Sequence, residues 1–219
     1  MSKLEGIIFD LDGTLVDSKR DIGQSIAYVI KEELKITIRE ESVYPYIGGS
    51  LRQTLKELSN NPSEDALNRM VEEYKKYYFT RCDLLSRPFP DVPETLEKLN
   101  GYKKAVATSK LKFMANEVLK RLGIIRFFDA IIGGDFLPLK PAPDTIIAAA
   151  KAIEADPKKV LVVGDTEKDI LAAKNAGSKV CVVTYGIKTG CELAKFSPDF
   201  MIDKFRDILK VVEEIEKSS

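Results

Sequence analysis

Two carboxylates one residue apart, Asp10 and Asp12, end the short apolar run Ile7-Ile8-Phe9 and precede Gly13-Thr14. Alternate side chains of an extended segment share a face, so both acids can aim at one point. Like charges held that close are costly unless a cation or a shared proton relieves them. A divalent metal is one such relief, and ligands that are all oxygen suit magnesium. The plainer reading is a solvated strand-to-loop turn, because Asp-Gly is a turn signal.

Other polar groups also stand where apolar runs stop. Thr108, Ser109 and Lys110 follow one such run, and Lys140 opens Lys140-Pro141-Ala142-Pro143 beyond another. Asp165, Thr166 and Asp169 follow a third, and Tyr185-Gly186 ends a fourth. Each has a structural explanation. Thr108-Ser109 suits the N-cap of the next helix, Lys140 suits an exposed loop, and Asp169 suits the first turn of a helix capped by Thr166. Their joint arrangement is harder to explain that way. In an open parallel sheet, ligands bind outside the carboxyl ends of the strands, so chemistry-capable groups at four such ends, counting Asp10 and Asp12, converge on one crevice.

The elements that must position these groups follow from periodicity. Buried strands are predicted at Leu4–Phe9, Lys103–Thr108, Ala130–Gly133, Val160–Gly164 and Lys179–Thr184, with a short sixth at Asp199–Ile202. Helical patterns cover Leu111–Leu122, Asp144–Ile153, Lys168–Ala176 and Phe205–Ile215, with Gly123 and Gly177 as stops. This alternation predicts an α/β fold, a parallel sheet with helices on both faces. The stretch from about Asp17 to Arg87 departs from it. Ile22, Ile26, Val29, Ile30 and Leu34 form one helical stripe, and Leu67, Met70, Val71, Tyr74 and Tyr78 another. An all-helical insertion after the first strand is expected, returning by an extended segment from Arg87 to Pro93.

Composition narrows the chemistry. The chain of 219 residues has no histidine, which excludes Ser-His-Asp and Cys-His machinery and every imidazole metal site. Its 34 basic and 34 acidic residues cancel, so no bulk field draws nucleic acid or an anionic membrane. No membrane-spanning or targeting segment is read, and a cytoplasmic location is expected by default. Cys82, Cys181 and Cys191 lack metal-like spacing and suit free thiols in a reducing compartment. There is no GxxxxGK or GxGxxG loop for a nucleotide.

FDLDGTLVDS, the strand ending ATSK, the KPAPD segment and VGDTEKD resemble the four signature motifs of haloacid dehalogenase-like phosphohydrolases. They stand in the family's order and span nearly the whole chain. The flanks FDLDGTLVDS, PFPDVPETLEKL and GDTEKDILAAKNAG are most similar to phosphoglycolate phosphatases. The resemblance implies a Rossmann-like core of residues 1–16 and 86–219, and a helical cap domain of residues 17–85. It implies that Asp10 is the nucleophile forming an aspartyl-phosphate, and that Asp12 is the acid and then the base. Thr108 would bind the phosphoryl group and Lys140 would neutralise charge. Asp165 would complete a Mg2+ site with the Asp10 carboxylate and the Asp12 backbone carbonyl, and Asp169 would act indirectly or through water. Ser109 stands where relatives often carry asparagine, which leaves its share in phosphate binding open.

The physical chemistry of the residues agrees. A carboxylate needs no base to act as a nucleophile. Its repulsion from a phosphate dianion calls for a nearby cation and lysine. The expected partner is a small phosphorylated metabolite, with 2-phosphoglycolate foremost; nothing in the pattern sets an oligomeric state. Alternatives within the family are a β-phosphoglucomutase-like phosphotransferase and a pyrophosphatase, and outside enzymes a catalytically idle interaction module. Arg52, in Tyr46-Ile47-Gly48-Gly49-Ser50-Leu51-Arg52, is the cap candidate for holding a substrate anion through its planar fork. The alternative for Arg52 is a solvated arginine opening the helix Leu51–Leu58.

Overall fold

Successive residues of the central strands face opposite sides of the sheet, and both sides are apolar. Ile7 and Phe9 join one buried cluster with Val106, Leu161, Val163, Cys181 and Val183. Ile8 joins the other with Ala105, Ala107, Val160, Val162, Val180 and Val182. A strand buried on both faces has no polar side to turn to water, which is the condition of a parallel sheet covered by helices. The computed structural model describes residues 3–135 and 137–218 and shows that arrangement.

The sheet strands are β1 (Gly6–Phe9), β4 (Lys103–Ala107), β5 (Ala130–Ile132), β6 (Val160–Gly164), β7 (Lys179–Val183) and β8 (Phe200–Ile202). A two-residue ribbon, β2 (Val16–Asp17) against β3 (Arg87–Pro88), runs antiparallel beside the sheet. The sheet order is β5-β4-β1-β6-β7-β8, and every pairing is parallel. After β1 the chain builds outward on one side through β4 and β5, then on the other through β6, β7 and β8. The strand order therefore reverses beside β1, and a crevice opens at such a reversal.

Three helices lie between β2 and β3: α1 (Lys19–Leu34), α2 (Leu51–Leu58) and α3 (Glu64–Arg81). No strand occurs between β2 and β3, as the two stripes predict. Ile22, Ile26, Val29 and Ile30 of α1 and Leu67, Met70, Tyr74 and Tyr78 of α3 are buried, whereas Val71 is only partly so. The remaining helices are α4 (Val92–Lys98), α5 (Lys112–Arg121), α6 (Asp144–Ala152), α7 (Glu167–Ala176), α8 (Gly190–Ala194) and α9 (Ile208–Lys217). Helices α6 and α7 cover the Ile8 face, while α4, α5 and α9 cover the Phe9 face.

Some boundaries differ from expectation. The return segment is extended only at Arg87–Pro88, and α4 begins at Val92. Pro93 lies in the first turn of α4, where its missing N–H costs nothing. The last helix begins as a 3-10 turn, Phe205–Asp207, before α9. Among the described residues no helix is long and apolar enough to cross a membrane. Cys82 and Cys181 are buried and Cys191 is exposed, all three free.

Candidate active site

β1 ends one residue before Asp10, whose backbone N–H still donates to the Val163 carbonyl at 2.8 Å. The sheet thus holds Asp10 beside the end of β6, where Asp165 and the first turn of α7 stand. Lys140 comes from the segment after β5 and binds two acids at once. Its Nζ lies 2.9 Å from Asp10 Oδ1 and 2.6 Å from Asp169 Oδ1. All four groups are buried. Asp169 Oδ2 accepts from the Thr166 hydroxyl at 2.6 Å and the Thr166 N–H at 3.0 Å. The helix-capping explanation of Thr166 and Asp169 is therefore correct, and Asp169 also pairs with Lys140.

Asp165 Oδ1 accepts from the Thr14 hydroxyl at 3.0 Å, and Oδ2 from the Ile187 N–H at 2.7 Å. The loops bearing these donors come close because two residues lack side chains. A Cβ at Gly13, whose φ is +91, would collide with the Asp165 carboxylate. One at Gly186 would collide with Asp165 and the Gly13 carbonyl. Thr14 and Ile187 are contributors that sequence reasoning missed. Thr14 was visible inside FDLDGT, whereas nothing marks Ile187, which acts through its backbone.

Asp10, Asp165 and Asp169 each offer a carboxylate oxygen within 4.8 Å of the others. Burial, opposed by Lys140 and aided by Asp169 and Asp12, pushes the Asp10 carboxyl up to about 7. Burial, then Asp169 and Asp10, push Asp165 well above the usual carboxylate range. For Asp169 burial acts upward too, but the Lys140 charge and the Lys140 and Thr166 hydrogen bonds outweigh it and hold it low. Lys140 is raised: burial disfavours its charge, and Asp10 and Asp169 more than offset this. With all three acids ionised, the one lysine leaves negative charge uncompensated. A hard dication with oxygen ligands fits that donor set and charge.

The Asp12 carboxylate lies outside this cluster. Its Oδ1 accepts from the Ser18 hydroxyl at 2.5 Å, and its Oδ2 lies 3.0 Å from Lys110 Nζ. Lys110 and Ser18 were missed as site residues; their signal is position, at the strand end in ATSK and in FDLDGTLVDS. Thr108 is buried, with its N–H on the Ile132 carbonyl at 3.0 Å and its hydroxyl accepting from the Lys110 N–H at 3.2 Å.

A cavity of about 260 Å³ opens between these groups and the inserted helices. Asp10, Asp12, Thr108, Ser109 and Lys110 line it from the sheet, and Ile22, Tyr46, Gly48, Arg52 and Tyr74 from the insertion. Arg52 opens α2, as the sequence suggests, and its guanidinium engages Glu64 and donates to Asn68 Oδ1 at 2.7 Å. It is half-exposed. The structure thus brings Asp10, Lys140, Asp165 and Asp169 into direct contact or close proximity. It sets Asp12, Thr108, Ser109 and Arg52 on the cavity that Asp10 also lines.

Comparison with known proteins shows which family and fold this chain shares. The model of the haloacid dehalogenase-like hydrolase family matches residues 7–183. A phosphoglycolate phosphatase of Aquifex aeolicus is 34% identical over 211 residues, covering 94% of this chain and 96% of that protein. The pyrophosphatase PpaX of Bacillus cereus is 30% identical over 219 residues, covering 99% of this chain and 100% of that protein. A crystal structure described as a predicted phosphoglycolate phosphatase from Haemophilus somnus superposes with a TM-score of 0.88 at 34% identity, covering 96% of this chain and 99% of that one. The β-phosphoglucomutase of Clostridium difficile, at 23% identity and a TM-score of 0.83 over 98% of both chains, shares the fold.

Proposed function

Because the chain belongs to the haloacid dehalogenase-like hydrolases, we propose that it is a magnesium-dependent phosphomonoester hydrolase acting through an aspartyl-phosphate, with 2-phosphoglycolate as substrate. The observation that carries this reading is the buried Asp10 carboxylate, placed at 2.9 Å from Lys140 and clustered with Asp165 and Asp169. Residues 17–85 act as the cap and residues 1–16 and 86–219 as the catalytic core. Free thiols suit the reducing cytoplasm, where such a hydrolase would work.

An oxygen of Asp10 attacks phosphorus, and the bond from phosphorus to the alcohol oxygen breaks. Asp12 gives its proton to that oxygen as it leaves. A water then attacks the aspartyl-phosphate, Asp12 takes its proton, and the bond to Asp10 breaks to release phosphate. Thr108 holds a phosphoryl oxygen, Ser109 stands beside it, and Lys140 offsets charge on Asp10 and the phosphoryl group. Asp10, Asp165 and the Asp12 carbonyl, with Asp169 next to them, would hold Mg2+, whose charge would let an anionic nucleophile approach an anionic ester. The small phosphorylated metabolite is the expected partner; support for 2-phosphoglycolate is the full-length likeness to the Aquifex protein. A second reading, pyrophosphate hydrolysis, draws on the equally full-length likeness to PpaX.

Arg52 on the cavity wall is the group proposed to read a substrate carboxylate. Arg52→Ala should then raise KM for 2-phosphoglycolate by an amount equivalent to roughly 1.5–3 kcal/mol, with little effect on an aryl phosphate. Equal effects on both would assign Arg52 to the shape of α2 and α3 instead. The overall test is phosphate release from 2-phosphoglycolate, pyrophosphate and sugar phosphates, with magnesium, with calcium and in chelator. Turnover with magnesium, inhibition by calcium and none in chelator are expected, since calcium's longer bonds misplace the nucleophile. Full activity in chelator would overturn the metal's role, and no release from any ester would overturn the activity.

A further inference from the structure

Lys110 leaves β4 two residues after Thr108, and its side chain, 6% exposed, reaches between the sheet and the inserted helices. Its ammonium has two partners of different origin. It lies 3.0 Å from Asp12 Oδ2 and donates to Tyr78 Oη at 2.8 Å. Asp12 belongs to the loop after β1, while Tyr78 belongs to α3 in the insertion. A buried ammonium is tolerated only where its geometry and its hydrogen bonds repay its lost hydration. Tyr78 meets that condition. It is fully buried, and its ring stacks on Tyr74 with centroids 5.3 Å apart and planes within 9°. The ammonium also lies 4.3 Å from the Tyr78 ring centroid. A phenol fixed in this way cannot swing to follow the lysine; the lysine is held where the phenol is.

We infer that Tyr78 is a positioning residue: through Lys110 it fixes the Asp12 carboxylate for proton transfer, so that the acid and base is in place when α3 sits over the sheet. The inference goes beyond the proposed reaction and rests on Asp12 being its acid and base. It assigns α3 a role other than contacting substrate. Without the phenol oxygen, Lys110 keeps one charged partner and loses the anchor that sets its position. Asp12 Oδ2 then follows a mobile ammonium, and a small misplacement of a reacting group costs rate more than binding.

The competing role for Lys110 is direct binding of the phosphoryl group, since it lines the cavity. The two differ in how they depend on the leaving group. A nitrophenolate leaves without a proton, whereas an alkoxide needs one. The test uses the magnesium-loaded protein with Tyr78→Phe, Lys110→Met, the double variant and Asp12→Asn. Single-turnover alcohol release is measured from 2-phosphoglycolate and from 4-nitrophenyl phosphate. Tyr78→Phe keeps the ring and its stack, so its thermal midpoint should stay close to that of the unaltered protein. It should slow release from the alkyl ester about tenfold with KM within about twofold, and slow nitrophenolate release far less. The double variant should be no slower than Lys110→Met alone, as expected for residues acting in series.

Equal slowing with both leaving groups, full activity of Tyr78→Phe, or a double variant equal to the product of the singles would overturn the inference. If Lys110→Met does not fold, the leaving-group contrast in Tyr78→Phe decides alone. Asp12→Asn separates the two levels of the argument. Undiminished rates there overturn the assignment of Asp12 itself, whereas an inactive Asp12→Asn beside a fully active Tyr78→Phe removes only the linkage.

Discussion

Burial drives Asp10 toward its protonated form, Lys140 opposes it, and the carboxyl settles at about 7 against an ordinary 3.8. Between those values the metal-free folded chain keeps a proton that the unfolded chain has released. The unfolded state then binds fewer protons, so stability falls as pH rises through that window. In chelator, the thermal midpoint should therefore drop as pH rises from about 4 to about 7 and level off above that. The drop should be smaller in Asp10→Asn, which has no charge to bury, and should shrink when magnesium is added to the unaltered protein. An identical pH profile for the two proteins in chelator would show that Asp10 is ionised without cost. The same substitution tests the chemistry. Asp10→Asn removes the attacking charge while keeping the shape, and turnover should fall more than roughly a thousandfold. A variant that released phosphate at near the original rate would exclude the covalent route.

The connections between elements set the site as much as the residues on them. Gly13 and Gly186 let the loops after β1 and β7 close on Asp165 from two sides. Gly186→Ala should push the Asp165 carboxylate away and weaken magnesium binding by about five- to a hundredfold, on the order of 1–3 kcal/mol. Titration calorimetry checks this, and unchanged affinity would show that the loop yields instead. The junction of the insertion with the sheet depends on Asp21 of α1. Its Oδ2 accepts from the Leu85 N–H at 3.0 Å, the Ser86 N–H at 2.8 Å and the Ser86 hydroxyl at 2.7 Å. This acid ties the start of the insertion to the strand that leaves it. Asp21→Ala would leave the buried Ser86 N–H and hydroxyl without this partner, and a loss of about 2–3 kcal/mol is expected in urea unfolding. A loss under about half a kcal/mol would place the junction's strength in the β2–β3 ribbon instead.

One apolar cluster runs from the Phe9 face of the sheet through Leu11, Leu15 and Val16 into Ile26, Leu67 and Tyr78 of the insertion. The Ile8 face carries a separate cluster built mainly of alanine and β-branched residues. A continuous core couples the stability of what it joins. Thermal unfolding should therefore be a single calorimetric transition with equal van't Hoff and calorimetric enthalpies. Two resolved transitions would show that the inserted helices melt on their own. The same continuity underlies the linkage through Tyr78, since α3 is held over the strand ends by this core.

Periodicity and motif spacing were enough for the parallel α/β sheet, the helical nature of the insertion and the order of the chemistry-bearing strand ends. These are local properties. A doubly buried strand needs a continuous apolar run, an amphipathic helix needs its stripe, and the residues ending them occupy known places along the chain. Asp10, Lys140, Asp165 and Asp169 could be put on one crevice because parallel strands place their carboxyl ends together. What each side chain then touches was decided by packing. The family resemblance implied that Lys140 neutralises charge at the site, but nothing in the sequence showed that it also grips Asp169. The sequence did not separate the Asp12 carboxylate from the acid cluster, turn it to Ser18 and Lys110, or bring Tyr78 from a helix more than thirty residues away onto that lysine. Nor could it show Arg52 engaged by Glu64 and Asn68, or the Ile187 N–H on Asp165. Such contacts depend on the distance and angle between elements far apart in the chain, and only a folded core fixes those.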